Sequence, residues 1–335
     1  MINVGIVGCG RIVEDGHALA FNDLKDRFNV VAIADATPAR LDTVGDMLDV
    51  PKDKRLADWN ELLALDEVEL VDMALPHFLH LESAVAAAKS GKKILMEKPM
   101  ATSLDEADQI MAAIHGNNAT ACIAHNYLYR ESAMKALELI AEGAIGEPFF
   151  FRQGAFMPRH YAGTATYDSG WRAKAGMAGG GALIDNSYHY LYLAAAYLGS
   201  PVASVFTKMD TFVHDIDVED TVLMSLTHDN GRFSAIETGW STGAATPVDE
   251  IHGTEGSLVF SREAPHLRLF RDGEFEGVDV PGGFTWGFDK LFVAYADAIE
   301  AGEPPPVSFE DGYTNIKVVM AAYESGRTGQ PVDVS

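Results

Sequence analysis

The first candidate for chemistry is Lys98, which follows the predicted strand 93–97 and precedes Pro99. Core packing does not require a lysine at the end of an apolar strand, whereas open α/β sheets bind ligands outside the carboxyl ends of their strands. The proline restricts the backbone on both sides of its peptide bond. A lysine held there could favour a developing alkoxide. The alternative is a surface lysine that closes a strand, and this stretch alone leaves both interpretations open.

The second candidate is His189, four residues after Asp185 in a predicted helix over 182–198. At that spacing the two side chains share one helix face. Three glycines at 179–181 precede the helix and let its start lie against something bulky. A histidine beside an acid can accept a proton near neutral pH, or it can be a helix pair without function. The nearby glycines and the nucleotide-binding pattern described below favour the proton acceptor.

A basic and aromatic segment lies between these two candidates. Between residues 152 and 174 the chain has four Lys or Arg and one acid, although acids outnumber basic residues about two to one overall. Flat rings pack on sugar faces and arginine binds oxyanions, so the segment suits a polyhydroxylated substrate. The alternative is a loop that pairs with the acidic surface of its own protein, and both remain open. The segment's residues are Arg152, Arg159, Tyr161, Tyr167, Asp168, Trp171, Arg172 and Lys174.

The N-terminus has the pattern of a dinucleotide site. The predicted strand 2–7 runs directly into Gly8, Gly10, Arg11 and Ile12, a helix follows to about residue 25, and a second strand ends at Asp35. Glycines let a backbone approach a pyrophosphate at a helix N-terminus, and the distal carboxylate can accept both ribose hydroxyls. The alternative is a plain βαβ unit with a glycine turn.

Two details refine the cofactor prediction. The third glycine of the usual pattern is Val13 here, and we expect its branched side chain to hold helix and strand slightly apart. Asp35 would repel a 2′-phosphate, which favours NAD over NADP. Thr37 and Arg40 leave NADP open, and we count Arg40 among the cofactor-binding residues.

The elements that position these residues fall into two halves. Strands and helices alternate up to about residue 124, which predicts a doubly wound parallel sheet of the Rossmann type. Pro76, His80 and Glu97 lie at carboxyl ends of its strands, and we assign them to the cofactor. Asn126 and Tyr127 follow the last of these strands, and we assign them to the cofactor and the substrate respectively.

After residue 125 strands follow one another with few helices, at 148–156, 202–212, 219–228, 232–241, 248–252 and 256–260. Asp229-Asn230-Gly231 is a hairpin turn signal. This half is predicted to be an α+β domain with a mostly antiparallel open sheet. The predicted domains are therefore 1–124 for the dinucleotide and 125–335 for substrate binding and oligomerisation, with closing helices at 286–300 and 310–324.

Composition excludes several classes of function. The formal charge of −24 repels phosphate backbones and anionic membrane faces, so neither nucleic acid nor membrane is an expected partner. No apolar run approaches the roughly 18 residues of a membrane span. Two cysteines are too few for a disulfide or metal framework, and we expect a cytoplasmic protein without a metal site.

Taken together, the motifs resemble the glucose-fructose oxidoreductase, inositol dehydrogenase and rhizopine catabolism oxidoreductase family over nearly the whole chain. The motifs are Gly8-x-Gly10, Glu97-Lys98-Pro99, Trp171-Arg172, the triple glycine with Asp185 and His189, and Gly253-Thr-Glu-Gly256-Ser257. The resemblance implies that Lys98 contacts the reacting hydroxyl and the cofactor, that His189 takes the hydroxyl proton, and that Asp185 orients histidine and substrate. Where the family frequently has an acid three residues after the histidine, this chain has Tyr192.

The expected activity is hydride transfer between NAD and a secondary hydroxyl or ketone of a sugar, cyclitol or related polyol. Two alternatives remain: a glycosidase or lyase that uses bound NAD for transient oxidation and elimination, and a binding protein that senses nucleotide. A metal-assisted variant would require His125, His160 or His214 to converge on Asp185. The resemblance further implies a homodimer or homotetramer formed through the open face of the second sheet.

Overall fold

The computed structural model describes residues 1–158, 162, 169–242, 248–280 and 286–334. The chain divides into two units. Unit 1 contains Met1–Asn126 and Phe288–Ile316, and unit 2 contains most of the chain between these two stretches and the residues after Ile316. Residues 288–316 thus rejoin unit 1, although the predicted division placed everything after residue 124 in the second domain.

Unit 1 is built on a six-stranded parallel sheet in the order β3-β2-β1-β4-β5-β6. Its central strands are buried and almost wholly apolar, as parallel strands covered on both faces must be. The predicted Rossmann-type sheet is confirmed. The strands are β1 (Ile2–Val7), β2 (Phe28–Ala34), β3 (Arg55–Leu56), β4 (Leu70–Met73), β5 (Lys93–Met96) and β6 (Ala121–Ile123).

The helices between these strands begin with local signals. Pro38 begins the second helix, where a missing amide hydrogen costs nothing. The Ser103 side chain caps the fifth by accepting from the Glu106 amide. A π-helical turn, Val13–His17, precedes the first. The helices are α1 (Ala18–Asp23), α2 (Pro38–Met47), α3 (Trp59–Leu63), α4 (His80–Ser90) and α5 (Leu104–Gly116).

Unit 2 contains a nine-stranded sheet in the order β14-β13-β12-β11-β7-β10-β9-β8-β15. All neighbouring strands are antiparallel except β7 and β10, which run parallel, so the predicted mostly antiparallel sheet is confirmed. Its strands are β7 (Pro148–Phe156), β8 (Val202–Asp210), β9 (Thr221–His228), β10 (Phe233–Gly239), β11 (Val248–Gly253), β12 (Ser257–Phe260), β13 (Leu267–Arg271), β14 (Glu274–Val278) and β15 (Val332–Asp333).

Helices cover one face of this sheet. Along β9 the residues alternate strictly between buried and exposed, the pattern of a sheet with one covered face. Tyr197 of the third helix packs edge to face on Phe151 at 5.3 Å between ring centroids. The helices of unit 2 are α6 (Glu131–Ala141), α7 (Ala175–Ala178) and α8 (Tyr188–Leu198), and α9 (Phe288–Ala301) and α10 (Phe309–Thr328) follow them in the chain.

Three sequence predictions need correction. The helix predicted over 182–198 begins as a π-helical turn, Leu183–Ser187, and becomes α-helical only at Tyr188. Strands β13 and β14 were not predicted, since neither shows a clean alternation of apolar and polar residues. The strand predicted over 202–212 ends two residues earlier, at Asp210, and the strand predicted over 219–228 begins two residues later, at Thr221. Residues 211–220 form the loop between them.

Among the described helices, none has both the length and the apolar character needed to cross a membrane.

Candidate active site

The turn after β1 requires glycine at its first position. Gly8 has a φ of 91°, a conformation that favours glycine, and an added Cβ would lie 2.4 Å from the carbonyl oxygen of Ala74. Helical backbone begins at Arg11. The first amides of a helix have no intrahelical acceptor and attract anions. Gly8, Gly10, Arg11 and Ile12 thus lie together in one turn, and its donors suit a pyrophosphate.

Asp35 follows β2 and its carboxylate is held by two backbone amides. One oxygen accepts from the Cys9 amide at 2.8 Å and the other from the Thr37 amide at 2.7 Å. The residue is half-buried, and each carboxylate oxygen can accept a further hydrogen bond. The Cys9 contact ties the acid directly to the glycine turn, so its remaining lone pairs could receive two ribose hydroxyls.

Arg40 is buried behind the glycine turn. Its guanidinium donates to the carbonyl oxygens of Cys9 at 2.6 Å and Gly10 at 3.3 Å, and it pairs with Glu14 at 2.8 Å. The Arg40 side chain therefore stabilises the glycine turn by binding its carbonyl oxygens. The prediction that Arg40 contacts the cofactor stays a prediction, but these contacts explain why a basic residue follows the acid.

At the carboxyl end of β5, Glu97 is buried and Lys98 is half-buried. One oxygen of Glu97 accepts from the Lys98 amide at 3.1 Å, and the other lies 3.0 Å from Nε2 of His17. Nδ1 of His17 lies 2.8 Å from Asp72. The Lys98–Pro99 peptide bond is cis. His17 was not predicted from the sequence, where it directly follows Glu14, Asp15 and Gly16 and resembles an ordinary polar helix position.

His80 joins the turns that follow β4 and β5. Its Nδ1 lies 2.7 Å from the Pro99 carbonyl oxygen and its Nε2 lies 2.9 Å from that of Leu75. Burial lowers the pKa of His80. Pro76 directly precedes the short 3₁₀ turn before α4, and the buried Asn126 begins another. The predicted cofactor contacts of these three residues stay predictions.

In unit 2 the imidazole of His189 is buried and tightly held. Its Nδ1 lies 2.7 Å from the Tyr192 hydroxyl, and its ring stacks on Tyr127 at 3.8 Å between centroids with 7° between planes. The Tyr192 oxygen also accepts from the Tyr127 amide at 3.2 Å. The guanidinium of Arg130 covers the Tyr127 ring at 3.0 Å. The contact at Nδ1 is thus made by Tyr192, the residue that stands where the family frequently has an acid, whereas the resemblance assigned the orienting role to Asp185.

Asp185 lies in the π-helical turn and is buried, with its Oδ2 3.4 Å from Nε of Arg172. The Arg172 guanidinium in turn lies 4.4 Å from the centre of the Trp171 ring. These three predicted substrate residues are therefore brought together. The assumption of regular α-helical spacing between Asp185 and His189 was wrong, because a π-helical turn rotates less per residue than an α-helix.

The triple glycine begins this turn against Glu219. The amides of Gly181 and Leu183 both donate to Oε1 of Glu219 at 2.9 Å, and the Ala182 amide donates to its backbone carbonyl at 3.0 Å. The Tyr323 hydroxyl donates to the same carboxylate oxygen at 2.9 Å. Burial raises the pKa of Glu219, although these hydrogen bonds oppose it. Sequence reasoning missed this residue, which satisfies three successive amides at a helix start.

The glycines themselves follow from this packing. A Cβ on Gly181 would lie 2.1 Å from the Glu219 carbonyl oxygen, and one on Gly180 would lie 1.7 Å from the Tyr323 hydroxyl. Neither contact is sterically possible, so both positions require glycine. The bulky neighbour expected from the sequence is thus Glu219 together with Tyr323.

Several residues of the predicted basic and aromatic segment, Arg159, Tyr161, Tyr167 and Asp168, lie outside the described residues, as does His160. His125 is buried in unit 1, where burial lowers its pKa to about 3. The Nε2 of His214 lies 2.9 Å from the Trp240 carbonyl oxygen. Within the described ranges, no three His, Cys, Asp or Glu side chains are grouped so that they could hold a metal ion.

Two family models match the chain. Residues 2–125 match one described as an oxidoreductase family with an NAD-binding Rossmann fold. Residues 133–259 match one described as the GFO/IDH/MocA C-terminal domain. Together they take in both the glycine turn and the helix that carries His189.

Known proteins are similar over nine tenths or more of the chain. Levoglucosan dehydrogenase of Pseudarthrobacter phenanthrenivorans is 27% identical, over 99% of this chain and 98% of that protein. D-xylose 1-dehydrogenase (NADP⁺) 2 of Haloferax volcanii is 28% identical, over 90% and 91%. A solved structure of levoglucosan dehydrogenase in complex with NADH superimposes with a TM-score of 0.88 at 26% identity, and covers 100% of this chain and 99% of that one.

Proposed function

Since the chain belongs to the GFO/IDH/MocA family of NAD-binding oxidoreductases, we propose that it transfers a hydride between NAD and a secondary hydroxyl of a sugar, cyclitol or related polyol. The catalytic pair is Lys98 and His189. The names of the similar proteins support the substrate class. The observation that carries the proposal is the buried imidazole of His189, held at Nδ1 by the Tyr192 hydroxyl.

This contact prepares His189 to accept a proton. When Nδ1–H donates to the Tyr192 oxygen, Nε2 retains its lone pair and can take the proton of a substrate hydroxyl. The Tyr192 oxygen has two lone pairs, so it can accept from His189 and from the Tyr127 amide together. A neutral tyrosine stabilises the resulting imidazolium less than a carboxylate would. His189 therefore releases the proton more readily than a histidine paired with an acid.

Lys98 contributes charge rather than proton transfer. Oxidation of an alcohol passes through a state with alkoxide character, and a fixed ammonium favours that state. When bound, NAD supplies the hydride acceptor. The Glu97 carboxylate accepts a hydrogen bond from the Lys98 amide, which restricts the backbone position from which the lysine side chain extends. We assign Glu97, with Gly8, Gly10, Arg11 and Ile12, to the binding and orientation of the cofactor.

We propose NAD rather than NADP as the preferred cofactor. The Asp35 carboxylate is held in place by two amides, and its charge would repel a 2′-phosphate. Arg40, which could offset that charge, is engaged with two carbonyl oxygens of the glycine turn and with Glu14. The fixed Asp35 carboxylate and the engaged Arg40 both favour a cofactor with a free 2′-hydroxyl on its ribose, which is NAD.

On the substrate side we propose Tyr127, Trp171, Arg172 and Asp185. An Asp185–Arg172 pair next to an indole ring offers both an acceptor and donors for hydroxyl groups beside an apolar face. Unit 2 is thus the substrate-binding unit. Pro76, His80, Asn126 and Arg40 remain proposed cofactor neighbours.

We also propose that unit 2 forms a homodimer or homotetramer through the open face of its sheet. Leu223, Phe233 and Phe275 lie on that face by their strand register and are 49%, 51% and 57% exposed. Exposed large apolar residues on the uncovered face of a sheet indicate an interface. A monomer by light scattering would contradict this. For the compartment we propose the cytoplasm, where the buried free Cys9 and Cys122 stay reduced.

The test is NADH absorbance while NAD or NADP is offered with sugars, uronates and cyclitols, and with glycosides whose cleavage is followed separately. Lys98→Ala and His189→Ala should each lower kcat by about a hundredfold or more, with NADH binding nearly unchanged. Lys89→Ala and His115→Ala, at exposed positions, are matched controls. Wild-type turnover in either site variant removes that residue from the mechanism, and glycoside cleavage without NADH would replace the dehydrogenase with redox-assisted elimination.

A further inference from the structure

We propose that His17 is a positioning residue for Lys98, acting as a buried imidazolium that joins Asp72 on β4 to Glu97 at the end of β5. The inference rests on the proposed role of Lys98 and extends it to a residue outside the reacting groups. His17 lies in the π-helical turn that follows the glycine turn. It therefore connects the cofactor-binding turn with the strand end that carries the lysine.

The hydrogen bonds require both ring nitrogens of His17 to donate. Nδ1 lies 2.8 Å from Asp72 Oδ2 and Nε2 lies 3.0 Å from Glu97 Oε1. Carboxylates only accept hydrogen bonds, and a neutral imidazole has one N–H. A doubly protonated ring satisfies both acceptors at once. Burial alone lowers the pKa of His17, but the charges and hydrogen bonds of Asp72 and Glu97 outweigh burial and raise it to about 10.

Glu97 transmits this arrangement to Lys98. One of its oxygens lies against His17 and the other accepts from the Lys98 amide at 3.1 Å. Its own amide donates to the Met73 carbonyl oxygen at 2.8 Å, which continues the ladder between β4 and β5. Rotation of the carboxylate would break one of these contacts. The imidazolium thus fixes the orientation of Glu97, and Glu97 fixes the backbone from which Lys98 extends.

The surroundings of His17 keep water away from this charge. The ring lies 4.3 Å from the Phe288 ring and 5.4 Å from the Phe292 ring, both on α9. Gly16 makes room, since a Cβ there would lie 2.7 Å from Phe288. Both His17 and Asp72 are fully buried. Charge interactions are strongest where solvent is excluded, so the pairing is rigid.

The same geometry distinguishes the cluster from a metal site. The imidazole stands between the two carboxylates, with one nitrogen directed at each, so the three groups do not converge on a common point. A metal would need at least one nitrogen lone pair, which the imidazolium lacks. The chemistry available to His17 is therefore orientation rather than ligation.

The first test uses the wild-type protein. With ¹⁵N-labelled histidine, NMR at pH 8 should show protons on both nitrogens of His17, and with ¹⁵N-labelled lysine the Lys98 amide should exchange with solvent slowly. A singly protonated His17 ring would overturn the imidazolium. A rapidly exchanging Lys98 amide would overturn its link to Glu97. Neither result depends on any substrate or on the variants folding.

The second test is His17→Gln, with His115→Gln as a control at an exposed histidine that also pairs with a glutamate. Because small misplacements of reacting groups are costly, kcat should fall by about tenfold or more while the KM for substrate and the Kd for NADH change less than about threefold. The Lys98 amide resonance should also move. A folded variant with wild-type kcat and an unmoved Lys98 resonance would refute the positioning role.

These outcomes separate the inference from the proposed function. If Lys98→Ala retains wild-type turnover, the proposed role of Lys98 fails while the NMR results on His17 and the Lys98 amide still stand. If Lys98→Ala is inactive and His17→Gln is fully active, the catalytic proposal stands and the positioning inference fails.

Discussion

The buried pair of carboxylates around His17 predicts a specific dependence of stability on pH. The pKa of His17 is raised from an ordinary value of 6.5 to about 10. A group whose pKa is raised on folding contributes its full stabilisation below the unfolded value, and this contribution is lost as pH rises through the folded value. The His17 contribution should therefore be intact at pH 6 and decline steadily between 6.5 and 10.

The size of the effect follows from the same pKa values. Each pH unit in this window removes about 1.4 kcal/mol of the His17 contribution to the unfolding free energy. Between pH 7 and 9 the loss is therefore about 3 kcal/mol, and the whole window corresponds to roughly 5 kcal/mol. Removing one partner of a buried ion pair typically costs about 3–5 kcal/mol, which is the same order.

Urea unfolding of the wild type and of His17→Gln at half-unit steps from pH 7 to 9 would measure this. Titrating groups that do not contact His17, such as the buried tyrosines, are shared by both proteins and cancel in the difference. That difference should shrink by about 3 kcal/mol across the range, and His115→Gln should show no such trend. A difference that stays constant with pH would mean that His17 is neutral in the folded protein, and the reasoning would be wrong.

Three further predictions concern the site. Tyr192→Phe should lower kcat about tenfold, because it removes the acceptor at His189 Nδ1. Tyr192→Asp should instead move the acidic limb of the kcat/KM profile to higher pH, because a carboxylate stabilises the imidazolium. pH–rate profiles of the two variants check both outcomes. Gly181→Ala should lower the unfolding free energy by about 2–4 kcal/mol, because its Cβ meets the Glu219 carbonyl. Thermal denaturation measures this, and Gly176→Ala is the control, because a Cβ on Gly176 has no atom within 4 Å. Asp35→Ser should raise kcat/KM for NADP relative to NAD by about tenfold, and an unchanged ratio would contradict the assignment.

What the sequence could predict was local. The glycine turn, the acid at the end of β2 and the lysine at the end of β5 each follow from a strand, a turn and one polar residue in immediate succession. Parallel strands place their carboxyl ends at one edge, so the placement of Asp35 and Lys98 at that edge required no knowledge of packing. Within 222–226 the larger apolar residues alternate with smaller or polar ones, a local pattern that indicates a sheet with one covered face.

What the sequence could not predict depends on contacts between distant residues. His17 is 55 residues from Asp72 and 80 from Glu97, and neither pair has a spacing that a helix or a hairpin would reveal. Glu219 reaches Gly181 across 38 residues. Buried charged residues are rare and need partners, but the sequence shows neither which residues become buried nor which partners they find.

The two π-helical turns show how the missed contacts and the predicted residues are related. Each follows a glycine-rich segment and each carries a buried titratable side chain, His17 in the first and Asp185 in the second. π-Helical turns are less favourable than α-helix and occur frequently at functional sites, so their retention requires compensating contacts. Here those contacts are the carboxylates around His17 and the three amides held by Glu219. In both units an acid that is distant in sequence thus stabilises the departure from regular helix.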